Sequence, residues 1–280
     1  MHDDALIRIH YYPGYCAGDD ASPAAARLEN NGDSLVLHGA ILDTVKGMTA
    51  APKVYSQQAP QRFGIEDFLE HGLLLARASS SLGKSPYYHP TSEPTTLAFF
   101  RTVFNERDHG KQGREENERL WKGFQAFIDR IDKARSAHSP RVLGMAVWKR
   151  YLGLSPWAGS YRWYNRTAEF VRGLLSSEAE RVAREDVKFL IGRLQLKPGL
   201  NRLVFCVTAG GYFGVVPEAV REGDRVVMVY GSKVPFILRP LPARDGKTVY
   251  KFVGQGYFRG MMYGELFEYG ILDPLEITLV

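Results

Sequence analysis

From Leu203 to Arg259 the chain reads as short β-branched and aromatic runs, each cut off by glycine or proline. The runs are Leu203–Thr208, Tyr212–Val216, Arg225–Tyr230, Phe236–Arg239, Val249–Val253 and Gly256–Arg259, with a turn at Ala209-Gly210-Gly211. Residues of this kind suit a pleated, half-buried surface, and glycine supplies the turn conformations between strands. Short strands recurring at roughly eight-to-twelve-residue spacing predict a small barrel or a curled antiparallel sheet. The last eighty residues are therefore expected to form a compact β-rich unit.

The segment before it has a different period. Ile65, Phe68, Leu69 and Leu73 make a one-sided stripe at helical spacing. Ser92-Glu93-Pro94 resembles a helix start, with Leu97, Phe100 and Phe104 following on one face. Leu120, Trp121, Phe124, Phe127, Ile128 and Ile131 predict a long amphipathic helix over Arg114 to Ala137. Ser177-Glu178-Ala179-Glu180 reads as a capping box ahead of another helix, which Pro198-Gly199 closes. Near the start, Ile7–Tyr11 and Ser34–Gly39 alternate as short strands. Strands and helices that segregate along the chain predict an α+β fold rather than a βαβ alternation. The expected divisions are 1–60 (short strands and loops), 61–199 (helical region) and 200–280 (β-rich unit).

The net charge of +5 has a location. Between Ser139 and Leu175 there are six basic residues and one acidic residue, so this stretch carries an excess equal to that of the whole chain. Trp148, Tyr151, Trp157, Tyr161, Trp163 and Tyr164 interleave with its arginines. Guanidinium and aromatic groups in one stretch can grip phosphates and stack on bases, or anchor a protein interface. The same pattern also suits a core segment whose arginines reach outward to solvent. As a binding segment its candidates are Trp157, Arg162, Trp163 and Arg166, with a nucleic acid or another anion as ligand.

Signals for chemistry are thin. Ala78 to Ser85 fits a loosened phosphate-loop pattern, but Pro86, Pro90 and Pro94 prevent the helix that such a loop must open. Gly254-Gln255-Gly256 with Gly260 opens no helix either, so these glycines are expected to serve turns or close packing. The seven histidines are all at least eight residues apart, and Cys16 and Cys206 sit in no metal-binding spacing. Cys206 lies inside an apolar strand run, which predicts a buried thiol rather than a nucleophile. No metal, cofactor or catalytic residue is therefore assigned, and an enzymatic role is not expected. The apolar runs are strand-sized and the opening Met1-His2-Asp3-Asp4 has no basic start, so a cytoplasmic protein without a membrane span is expected.

The β-rich unit also carries an ordered set of signatures. Gly211-Tyr212-Phe213-Gly214-Val215-Val216-Pro217 is followed by Gly223-Asp224, then by Val234-Pro235-Phe236-Ile237-Leu238-Arg239. Val253-Gly254-Gln255-Gly256-Tyr257-Phe258 and Gly260-Met261-Met262-Tyr263-Gly264-Glu265 complete the series. Upstream stand Phe99-Phe100-Arg101-Thr102 and the segment Leu35–Val45. This order resembles the C-terminal region of fungal heterokaryon-incompatibility (HET-domain) proteins. Departures from their pattern are Phe100 for a tryptophan, Gln255 for an acidic residue, and Arg259 where histidine is common. The family's N-terminal signatures, Ser-Tyr-x-Trp-Gly and Asp-x-x-Cys-Ile-Asn-Gln, do not occur in the sequence. The resemblance thus implies a partial or truncated member, an accessory or regulatory region acting through another protein in non-self recognition or cell-death signalling. The matched residues are of structural type: glycines and prolines for turns, and an Arg239 and a Glu265 that could form an internal ion pair or a ligand clamp.

Overall fold

The computed structural model describes residues 26–52, 64–82, 86–104, 110–136, 178–197, 199–244, 246–263, 265 and 275–280. The chain divides into two compact units. One comprises Met1–Lys53, Asp67–Glu106 and Pro198–Val280, and the other Val54–Glu66 and Arg107–Lys197.

The first unit is built on a nine-stranded sheet, antiparallel in all but one of its pairings. In chain order its strands are β1 (Ala26–Glu29), β2 (Ser34–Met48), β5 (Leu203–Thr208), β6 (Phe213–Pro217), β7 (Arg225–Val229), β8 (Phe236–Arg244), β9 (Lys247–Gln255), β10 (Tyr257–Phe258) and β11 (Leu275–Leu279). The two-residue strands β3 (Tyr87–Tyr88) and β4 (Glu93–Pro94) pair separately. The α+β class expected from the sequence is therefore correct. The sheet is not confined to the end of the chain, however. Strand β2 runs nine residues beyond Gly39, where the alternation of the sequence fades, and lies at the centre. Its pairing shifts register between Ile41 and Asp43 and between Val45 and Gly47. Such irregularities insert residues out of phase, which is why the period-two pattern stops being legible.

Strand β2 pairs with β7, β7 with β8, β8 with β9, β9 with β11, and β11 with β2 again. The circuit returns on itself, but the β9–β11 junction rests on two residue pairs, Thr278 with Val249 and Leu279 with Tyr250. The barrel is thus not firmly closed. Leu37, Val227, Val229, Leu238, Tyr250 and Ile277 pack on one face of these five strands. Val45, Val204, Cys206, Val216, Val226, Ile237 and Phe258 pack on the other.

Helices α1 (Ile65–Leu82) and α2 (Thr95–Phe104) cover the part of the sheet made by β2, β5 and β6. Phe99 meets Phe205 edge-on at 4.8 Å between ring centroids, and Phe205 meets Phe213 at 5.5 Å. Each fully buried phenylalanine contributes about 2–3 kcal/mol. Residues Ala78–Leu82 belong to α1, so no phosphate loop begins there. Helix α2 opens at Thr95, whose hydroxyl donates to the Pro86 carbonyl at 2.8 Å. Ser92 is not its cap but a left-handed turn residue with φ 54°.

The second unit contributes α3 (Gly110–Ser136) and α4 (Glu178–Gln195). The predicted stripe is buried at Leu120, Phe124, Phe127 and Ile131, and α4 buries Val187, Leu190 and Leu194. The helices approach closely at Gly123, where a Cβ would stand 2.4 Å from the Asp186 carbonyl oxygen. Across this contact Arg119 lies 4.1 Å above the Phe189 ring and pairs with Asp186 at 3.2 Å. Residues Ile7–Tyr11, Cys16, the capping Ser177 and the whole basic stretch 139–175 lie outside the described residues.

Candidate functional site: the internal ion pairs of the signature segments

The glycine signatures lie where the backbone needs them. Gly211 (φ 87°) and Gly223 (φ 91°) occupy the turns before β6 and β7, and Gly260 (φ 84°) the turn after β10. Glycine adopts this left-handed conformation without steric cost. Gly214 and Gly254 serve close packing instead. A Cβ on Gly214 would stand 2.5 Å from the Phe258 ring, and one on Gly254 would stand 2.8 Å from Pro217. Pro235 accepts the Gly256 N–H at 3.0 Å on its carbonyl, while Tyr257 packs with Val234 and Met262.

Gly223-Asp224 leads into β7 as a hydrogen-bonded turn. The Asp224 carboxylate, 2% exposed, accepts the Arg221 N–H at 2.8 Å and takes the Arg239 guanidinium on both oxygens at 2.9 Å. Arg239 also donates to the Ala219 carbonyl at 2.8 Å. The partner of Arg239 is therefore Asp224, fifteen residues earlier in the turn that leads into β7. Glu265 accepts the Tyr263 N–H at 2.7 Å. The backbone completes the joint, since Val45 donates to the Asp224 carbonyl at 2.8 Å and Gly223 donates to the Val45 carbonyl at 2.9 Å. One turn thus fastens β2, β7 and β8 together. Asp224→Asn removes the charge from a buried bidentate pair, and is expected to cost about 2 kcal/mol. That corresponds to a melting temperature lower by about 6 °C; an unchanged thermal transition would contradict the assignment.

A second cluster joins the upstream Phe99-Phe100-Arg101-Thr102 segment to the end of the signature series. The buried Glu93 carboxylate accepts Arg101 Nη1 at 2.6 Å, Arg259 Nε at 2.9 Å and the Thr91 hydroxyl at 2.7 Å. Burial pushes this carboxyl up, but the hydrogen bonds from Arg259 and Thr91 and the charge of Arg259 hold it below the ordinary glutamate range. Beneath it, the Tyr88 hydroxyl donates to the Arg259 carbonyl at 2.7 Å and accepts the Phe213 N–H at 3.1 Å. Arg259 in turn donates its own N–H to the Phe213 carbonyl at 2.9 Å. Sequence reasoning noted Arg101 and Arg259 but gave neither Glu93 nor Tyr88 this role. The available signal was an acidic residue beside a helix start, preceding two arginines that needed a partner.

Burial raises the Cys206 thiol and the Tyr88 hydroxyl far above neutrality, so neither ionises. Among the described residues, no group of three or more His, Cys, Asp and Glu is placed to hold a metal ion. Also among them, no helix is long and apolar enough to cross a membrane. Trp157, Arg162, Trp163, Arg166 and Gly264 lie outside the described residues.

Comparison with known proteins bears on the same segment. The Het-6 beta-barrel domain family matches residues 199–270, which include every signature from Gly211 to Glu265. Heterokaryon incompatibility protein 6, OR allele, of Neurospora crassa is 38% identical over 60 residues. That stretch covers 21% of this chain and 9% of the relative's length. No solved structure matches. The C-terminal region is therefore related to heterokaryon-incompatibility proteins.

Proposed function

We propose that this HET-related region is a non-enzymatic accessory or regulatory scaffold, acting in the cytoplasm through contacts with another protein in non-self recognition or cell-death signalling. The observation that supports this reading is the use of the matched polar groups. Asp224, Arg239 and Arg259 are engaged inside the fold, on each other or on Glu93. A shared architecture does not transfer a function, so the partner's class is part of the proposal. The relation of this region to heterokaryon-incompatibility proteins is what suggests a HET-domain protein as the partner. Co-expression of the full chain with a HET-domain protein, followed by affinity purification, is expected to return both in a stable ratio. Failure to co-purify under gentle, low-salt conditions would contradict the proposal.

A second reading draws on the localised charge of 139–175. If this stretch binds an anionic polymer, replacing Arg162 and Arg166 by alanine should weaken binding to single-stranded nucleic acid. Removing two phosphate contacts should also lower the salt slope by about 1.4. A mobility shift that the double variant leaves unchanged would exclude it.

A further inference from the structure

The barrel is open at the end where β7 turns into β8. There Leu35, Leu37, Val229, Phe236, Phe252 and Leu279 line a groove of about 510 Å³, with Tyr230, Gly231 and Ser232 at its rim. That volume lies within the range of about 300–1,000 Å³ typical of ligand sites. Beside it runs β1, which among the described residues pairs only with β2. In an antiparallel pair, directly opposed residues project from the same face. Leu28 lies opposite Leu35, so it shares the face that lines the groove, yet it is 71% exposed. The other face of these strands is polar, since Arg27 binds Glu29 and Glu276, each at 2.8 Å. An edge strand with an outer row of backbone donors and acceptors thus borders an apolar channel.

We propose that this edge and groove together bind an extended peptide segment of a partner protein, added as a strand beside β1, with apolar residues at every second position. Strand addition supplies main-chain hydrogen bonds, and the period of two sends alternate side chains to one face. A compact apolar molecule would use the groove but not the edge, whereas a strand uses both and covers Leu28. The inference rests on the reading that this region works through protein contacts, and it names the chemistry of the contact.

The test is to pan a displayed library of random decapeptides against the purified full chain. Enriched peptides should show apolar residues at alternate positions. For a synthetic winner, N-methylation of every second backbone amide should weaken binding at least tenfold in one phase and little in the other. Leu28→Lys, at a site too exposed to disturb the core, should weaken it at least tenfold, and Phe252→Lys should abolish it. Absence of enrichment, absence of the two-residue period, or indifference to both N-methylation and Leu28→Lys would overturn the proposal. So would a small apolar dye that fills the groove and is not displaced by the peptide. Leu28→Lys that leaves co-purification with a HET-domain protein intact would overturn this site alone and leave the scaffold reading standing.

Discussion

Glu93→Ala is expected to be among the most destabilising single changes in the barrel-bearing unit, costing about 4 kcal/mol. It leaves the Arg101 and Arg259 guanidinium groups, now held around one carboxylate, facing each other with no anion between them. The corresponding fall in melting temperature is about 12 °C. Glu93→Gln separates charge from packing, since it keeps the shape and one acceptor oxygen; it should recover part of the loss. The same carboxyl makes a prediction about acid. Its folded pKa lies below the ordinary glutamate value of 4.5, so its contribution is complete above that value. It is lost as pH falls through the lowered folded value. Urea midpoints measured from pH 6 down to pH 2 should therefore drop less steeply for Glu93→Gln than for the wild type. Parallel profiles for the two proteins would count against an ionised Glu93 as the joint.

Gly39→Ala should produce the second large effect, for a steric reason. A Cβ there would stand 2.2 Å from the carbonyl oxygen of Met228 and 3.1 Å from the Cα of Val229. Both are backbone atoms of β7, opposite Gly39 in the β2–β7 pairing, so no side chain can swing aside. The strands must separate at a junction on which the barrel circuit depends. The expected cost is about 3 kcal/mol, at the upper end for overpacking. Gly192→Ala is the control. It lies inside α4 with no heavy atom within 4 Å of a built Cβ, and should stabilise by up to about 1 kcal/mol. A chemical denaturation midpoint that Gly39→Ala leaves within error of the wild type would show that β2 does not pass β7 as described.

The strands from Leu203 to Phe258 were legible because each is a short apolar run ended by a glycine or a turn, and the structure places a strand in every one. The helices were legible for a similar reason: their stripes keep a 3.6-residue period over three turns or more. Strand β2 was read only to Gly39 because its later residues, Asp43-Thr44-Val45-Lys46-Gly47, are out of phase after a register shift. Strand β11 escaped notice because Leu275-Glu276-Ile277-Thr278-Leu279 is a single brief alternation with no turn residue after it. Its pairing with β2 spans more than two hundred residues of sequence, which no local pattern encodes. The ion pairs illustrate the same limit. Arg239 was a candidate partner for Glu265, both being polar signature residues, whereas the fold brings it to Asp224 across the β7–β8 pair. Glu93 meets Arg259 from 166 residues away, brought together by tertiary packing that includes α2 against β6 and β10 beside β6. Sequence reveals which residues need partners; tertiary pairing decides which partner they receive.

That the signature residues hold a scaffold together is the central claim, and amide hydrogen exchange on the full chain tests it most directly. In the wild type, amides of 86–104 and of β6 and β10 should be protected together. In Glu93→Ala both groups should lose protection in step, by more than tenfold in exchange rate, while β8 and β9 change far less. Wild-type exchange in Glu93→Ala at all these sites would contradict the scaffold role and return Glu93, Arg101 and Arg259 to the list of groups available for a ligand.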